Sequence, residues 1–257
     1  MKGHFRVAVL VDIHGNYYAL QAVLDDASGF APDCYVFGGD IVSGAAQPRQ
    51  CMEKLRRLNA KGTLGNTDEK VLDEDCEVTT WTKHQLLEED LQILASLPLT
   101  QRIRPPGGES SGDDLLIAHS TPRSCHDLLI LDPPKPGPTR SGQKTADNEV
   151  REMLDGEEFN TMIYGHIHYT SERSFEGQRL MSIAPVGLPA DGDVRAGYAL
   201  AEWKNGSWKV VVRRVRYDHE GAARFIETSG QPFERRYAAM VRMAKYLPKS
   251  AEWGYKN

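Results

Sequence analysis

An aspartate and a histidine stand two residues apart, at Asp12 and His14, directly after the apolar run 7–11. Placing a carboxylate and an imidazole at the end of a buried strand is costly unless they hold something. The pattern recurs downstream. Asp40 follows Gly38 and Gly39, Asn66 and Asp68 follow Gly65, His119 follows the apolar run 115–118, and His166 and His168 follow Gly165. Asp12, His14, Asp40, Asn66, His119, His166 and His168 supply carboxylate oxygens, an amide oxygen and imidazole nitrogens. That mixture suits manganese, iron, zinc or nickel better than calcium or magnesium. Seven donors are too many for one ion and suit two ions sharing a carboxylate. Two such ions can clamp the attacking oxygen and the substrate oxygens of an in-line displacement.

The elements that must position these residues alternate. Residues 5–11 read as a central strand buried on both faces, and Leu20, Val23, Leu24 and Ala27 recur at helical spacing behind a cap at Asn16. Further short strands end at Gly38 and at Leu64, with a helix beginning near Pro48 between them. This is the α/β pattern, which places sites beyond the carboxyl ends of strands. Residues 79–97 predict one amphipathic helix, with Glu88, Glu89 and Asp90 on its solvated face. Strands are expected at 100–104, 114–118 and 161–164, and alternation along a strand would put His166 and His168 on one face. Residues 131–145 read as an irregular surface loop. Asn205-Gly206 signals a hairpin, and helical patterns close the chain at 222–227 and 233–247.

Composition bounds the function. The chain has 257 residues, 40% hydrophobic and 26% charged, with a net charge of −5. It can bury a full core, and it carries no strong nucleic-acid footprint. Cys34, Cys51, Cys76 and Cys125 form no C-x-x-C pair and read as reduced packing thiols. With no signal peptide and no apolar run long enough for a bilayer, a cytoplasmic protein is expected, with no membrane partner. No lysine followed by serine or threonine succeeds Gly39, and no G-x-G-x-x-G follows the first strand. A P-loop and a dinucleotide fold are therefore rejected.

Taken together, D-x-H, G-D, G-N-x-D, a lone histidine and G-H-x-H in this order resemble the calcineurin-like metallophosphoesterases, over residues 5–217. The resemblance implies an α/β (α+β) fold, a four-layer β-sandwich of two mixed sheets flanked by helices. Residues 1–218 would form that domain, and 219–257 a helical extension packed on it. It also implies one metal held by Asp12, His14, Asp40 and His168, and a second held by Asp40, Asn66, His119 and His166. Asp40 would bridge the two, and a bridging hydroxide would be the nucleophile. Manganese is the expected metal, with iron, zinc or nickel as alternatives.

One departure matters. The family places a histidine after the asparagine, credited with protonating or stabilising the leaving group; here that residue is Thr67. A hydroxyl donates a hydrogen bond but is no acid near neutral pH. Similar small prokaryotic members act on phosphodiesters, so a phosphodiesterase for a small diester or nucleotide is expected. The alternatives are a phosphomonoesterase or nucleotide phosphatase, and a non-catalytic metal-binding scaffold. Asp68, which orients that histidine in the family, is more often a turn residue. His126 is a candidate acid, and Arg123 and Arg140 are candidate phosphate contacts beside Asn66. A dimer is compatible with the C-terminal stripe of Tyr237, Met240, Val241, Ala244 and Leu247. The segment 183–187 departs from the family and receives no role.

Overall fold

The computed structural model describes residues 4–132 and 143–248. Strand β1 (Phe5–Leu10) is covered on both faces. Val7 and Val9 join the core between the two sheets, and Ala8 and Leu10 join the core beneath the helices, the two-residue period of a strand. β1 pairs in parallel with β2 (Cys34–Gly38), and β2 in parallel with β3 (Lys61–Thr63). On the other side β9 (Ala196–Lys204) runs antiparallel to β1 and to β10 (Ser207–Val215), giving the order β10-β9-β1-β2-β3. The β9–β10 turn is Asn205-Gly206, with φ of 53° and 74°, as a two-residue hairpin needs.

The second sheet contains β4 (Thr100–Ile103), β5 (Leu115–Ala118), β6 (Thr161–Tyr164), β7 (Ser171–Phe175) and β8 (Gln178–Ser182), in the order β4-β5-β6-β8-β7. Its centre, β5-β6-β8, is parallel. Val7, Val9, Val11 and Val36 meet Ile103, Leu115, Ile117 and Ile163 between the sheets. Helices α1 (Tyr17–Ser28) and α2 (Pro48–Arg57) cover the first sheet, and α6 (Asp147–Leu154) covers the second. Asn16 caps α1, its side chain accepting the Ala19 N–H at 3.1 Å. Two mixed sheets flanked by helices thus form as expected. Among the described residues no helix is long and apolar enough to cross a membrane.

The single helix expected over 79–97 forms as two, α4 (Glu77–Gln85) and α5 (Glu88–Ala95), after α3 (Asn66–Asp73). Leu86 and Leu87 are extended, with ψ of 156° and 157°. Asp90 accepts the Leu87 N–H at 3.0 Å and so starts a new helix. Asp90 is therefore fully buried rather than on a solvated face. The chain closes with α7 (His219–Glu227) and α8 (Glu234–Met243), which pack on Ala45, Ala46 and Leu188 through Ala222, Ile226, Met240 and Val241.

Six strands matter most for the site. β1, β2 and β3 point one way in one sheet, and β5, β6 and β8 are mutually parallel in the other. The loops that leave β1, β2, β5 and β6 carry six of the seven candidate donors, and the seventh, Asn66, opens α3 just after β3.

Candidate metal centre

The seven residues converge, and the backbone is bent to make them do so. Asp12, His14, Asp40, His166 and His168 all have φ between 50° and 66°. Left-handed backbone is uncommon outside glycine, costs free energy, and clusters at functional sites. It also corrects the expectation for His166 and His168. They share no strand face, because β6 ends at Tyr164 and both sit in the bend that follows. Glycines allow the loops to touch: a Cβ on Gly165 would lie 2.4 Å from Asp12 Oδ2, and one on Gly65 would lie 2.0 Å from the Asp40 nitrogen.

One donor set is Asp12, His14, Asp40 and His168, whose ligand atoms lie within 4.8 Å of one another. The rings are fixed by backbone carbonyls. His14 Nδ1 donates to Ser43 O at 2.5 Å and His168 Nδ1 to Leu188 O at 2.6 Å. A carbonyl only accepts, so each Nδ1 carries hydrogen and the neutral ring keeps its lone pair on Nε2. Those two Nε2 atoms face each other at 3.1 Å. His14 Nε2 lies 3.5 Å from Asp40 Oδ2, and His168 Nε2 lies 3.7 Å from Asp12 Oδ1.

The other set is Asp40, Asn66, His119 and His166. His119 Nδ1 donates to Gly38 O at 3.0 Å, so its Nε2 lone pair faces inward. That atom lies 2.9 Å from Asn66 Oδ1, 3.1 Å from His166 Nδ1 and 3.4 Å from Asp40 Oδ1. Asp40 thus turns one oxygen to each set. Asp12 accepts the His166 N–H at 3.0 Å on each oxygen, tying the loops of the two sheets together.

Lone pair against lone pair is repulsive unless a cation lies among them, so the donor set fits divalent metals. The electrostatics agree. Burial, and then the Asp40 charge, push the Asp12 carboxyl well above its ordinary range. The same causes raise the Asp68 carboxyl to about 8. Burial opposes the Asp40 charge too, but positive charge at His119 and His14, together with the Thr67 N–H, outweighs it and holds that carboxyl low; bound cations would supply that charge when the rings are neutral ligands. Burial, and then His14, push the His168 imidazole well below its ordinary range, which leaves it neutral as a ligand must be. Cations placed here would relieve the buried negative charge.

The neighbouring candidates separate. Thr67 reaches the site through its backbone, its N–H donating to Asp40 Oδ1 at 2.8 Å, while its buried hydroxyl has no hydrogen-bond partner. Asp68 is buried and accepts the N–H groups of Ile41 at 2.8 Å and of Val42 and Gly65 at 3.2 Å. It locks the Asp40 loop to the start of α3. His126 is exposed and pairs with Glu69 on α3. Arg123 is exposed, with Nε 3.4 Å from Asp127. Arg140 and most of the loop 131–145 lie outside the described residues.

Sequence reasoning missed the carbonyls of Gly38, Ser43 and Leu188, because a backbone acceptor leaves no mark on residue type. It also left 183–187 without a role. There Val186 and Gly187 donate to the carbonyls of Val11 and Asp12, each at 2.9 Å, and the Gly187 carbonyl accepts the Asn16 amide at 2.9 Å. The segment pins the first metal loop and delivers Leu188 to His168. The donors His14, Asp40, Asn66, His166 and His168 line a cavity of about 270 Å³, together with Arg236, Tyr237 and Met240 of α8 and Tyr246.

The chain belongs to the calcineurin-like phosphoesterase family, which matches residues 5–170. Hydrolysis of phosphoesters with divalent metals is the chemistry of that family. An uncharacterized protein of Methanocaldococcus jannaschii is 28% identical over 226 residues, covering 82% of this chain and 88% of its own. A metallophosphoesterase of Sphaerobacter thermophilus has a similar fold (TM-score 0.73, 23% identity, 93% of this chain and 99% of that one). So does a hypothetical protein of Pyrococcus horikoshii (TM-score 0.75, 18% identity, 93% and 98%).

Proposed function

We propose that this protein is a phosphodiesterase with a dinuclear metal centre, manganese being the expected metal. Asp12, His14, Asp40 and His168 would hold one ion, and Asp40, Asn66, His119 and His166 the other. The observation that carries this reading is the facing of lone pairs, with Asp40 Oδ2 turned toward His14 at 3.5 Å and Oδ1 toward His119 at 3.4 Å. When bound, the two cations supply charge neutralisation for phosphoryl oxygens and an acidified water near neutral pH.

The chain's own residues do the rest. The carbonyls of Ser43, Leu188 and Gly38 hold three imidazoles in the ligating tautomer. The Thr67 N–H and the Asp68 carboxyl oxygens fix the Asp40 loop, so little reorganisation is needed when the ester arrives. Asn66 is positioned both as a ligand and as the first residue of α3. No imidazole stands at position 67 to protonate a departing alkoxide. That absence supports diesters over monoesters, in keeping with the small prokaryotic phosphoesterases the sequence resembles.

The test is turnover of bis(4-nitrophenyl) phosphate and of 4-nitrophenyl phosphate, with manganese and after chelation. The diester should be preferred by about tenfold or more in kcat/KM, and chelation should abolish both activities. Preference for the monoester would overturn the diester assignment. Turnover of neither by metal-loaded protein would overturn the enzyme reading.

A further inference from the structure

The C-terminal helices lie beyond the part of the chain that matches the family, residues 5–170. They nonetheless hold the metal loops. Gln231 Nε2 donates to Gly44 O at 3.0 Å, next to the Ser43 carbonyl that orients His14. Met240 packs in one cluster with Leu188, whose carbonyl orients His168. The Gly192 N–H donates to Ala244 O at 2.9 Å. This extension therefore forms a wall of the reaction cavity.

That wall has a particular chemistry. Arg236 is 4% exposed, and among the described residues no carboxylate lies within ion-pair distance of it. A buried guanidinium without a carboxylate is expensive. It is held instead by the Leu247 carbonyl, 2.7 Å from Nε, and by two aromatic rings, its centre lying 5.2 Å from the Tyr237 centroid and 5.5 Å from that of Tyr246. Flat groups already stack there, with Met240 and Val78 adding apolar surface to the cavity. A polyol placed against such a wall would lose hydrogen bonds to water without replacing them. A ring would gain contact area and could present its polar edge to the guanidinium.

We propose that the C-terminal extension selects the substrate, and that the ester taken by this site carries a planar ring of the nucleobase kind, seated against Tyr237, Tyr246 and Met240 with Arg236 at its edge. This rests on the phosphoesterase reading above and adds the substrate's organic part to it. Tyr237, Tyr246 and Arg236 are specificity-determining residues here, not catalytic ones.

The experiment is calorimetric binding of adenosine 5′-monophosphate and ribose 5-phosphate to the manganese-loaded full chain. Both carry the same phosphate and sugar, so their ratio of Kd reports the ring alone. The nucleotide should bind about tenfold or more tightly, and Tyr246→Ala should narrow that ratio by about tenfold. Tyr246 is 38% exposed, so its truncation spares the fold. Arg236→Lys, which keeps the charge but loses the planar fork, should also narrow the ratio. Equal affinity for the two ligands would overturn the proposal, as would an unchanged ratio in Tyr246→Ala or the binding of neither. Nitrophenyl diester turnover is read separately on the same preparation. Metal-dependent turnover with equal affinities would remove the ring and leave the phosphoesterase standing.

Discussion

The backbone N–H of Thr67 donates to Asp40 Oδ1 at 2.8 Å, so residue 67 supports the metal centre through its main chain whatever its side chain. Its hydroxyl is buried without a hydrogen-bond partner. Substitution there can therefore change the chemistry offered to the leaving group while keeping the support of Asp40. Thr67→His should raise kcat/KM for diesters with alkyl leaving groups by about 100-fold or more, the lower end of what a positioned acid contributes. Nitrophenyl diesters, whose leaving group needs no proton, should change by less than about threefold on the same grounds. The measurement is the slope of log kcat/KM against leaving-group pKa, which should flatten in the variant. An unchanged slope would place residue 67 away from the departing oxygen.

Asp40 belongs to both donor sets, and the other six residues belong to one each. Stoichiometry should follow that division. Wild-type protein equilibrated with manganese and desalted should retain two ions per chain, as the proposed dinuclear centre requires. His168→Ala and His119→Ala should each retain about one, since three donors of the damaged set remain but the tight site is lost. Asp40→Asn should retain less than one, because the amide offers a single neutral oxygen where two charged ones stood. Turnover should fall by about 100-fold or more in all three. Metal content by elemental analysis decides the matter, and retention of two ions by Asp40→Asn would exclude a shared carboxylate.

What was legible in the sequence follows from what side chains can signal. Asp12, Asp40, His119 and His166 each interrupt or end an apolar strand, so residue type alone marked them. Asn16 as a cap and Asn205-Gly206 as a hairpin are local devices whose geometry their own residues dictate. The break at Leu86 and Leu87 was hidden because a capping carboxylate reads like a solvated one. The left-handed backbone at His166 and His168 was hidden because it is imposed by contacts, such as the Asp12 carboxylate on the His166 N–H, that cross 154 residues of sequence. The wall made by α8 was hidden for the same reason. An amphipathic stripe declares that a helix packs, not where.

The hidden break makes its own prediction. Asp90 Oδ2 caps α5 through the Leu87 N–H, and its Oδ1 lies 3.5 Å from Arg56 Nε. Asp90→Ala should lower stability by about 1–2 kcal/mol, the cost of a lost cap in a protein helix. Asp90→Asn, which keeps an acceptor oxygen, should lose less. Urea denaturation measures both, with manganese content unchanged, since α5 contributes no donor. If Asp90→Ala unfolds at the wild-type urea midpoint, the carboxylate is not what restarts the helix.

Far from the metal centre, Asp26 on α1 accepts Arg213 Nε at 2.7 Å and the Tyr198 hydroxyl at 2.6 Å, joining the helix to β9 and β10. The hydrogen bonds from Arg213, opposed by modest burial and reinforced by Tyr198, hold its carboxyl below the ordinary range. A carboxyl depressed in the folded state contributes stability that is fully present above its unfolded pKa, about 3.9, and is lost as pH falls through the folded value. Asp26 and Arg213 retain 26% and 33% side-chain exposure, so solvent screens the pair. Asp26→Asn should therefore cost under about 1 kcal/mol at pH 7. The difference between variant and wild type should stay level down to about pH 4 and close below it, because the wild-type carboxyl is then protonated as well. Chemical denaturation of both proteins between neutral and acid pH measures this. A gap that persisted at low pH would assign the effect to lost packing around Tyr198 rather than to the charge of Asp26.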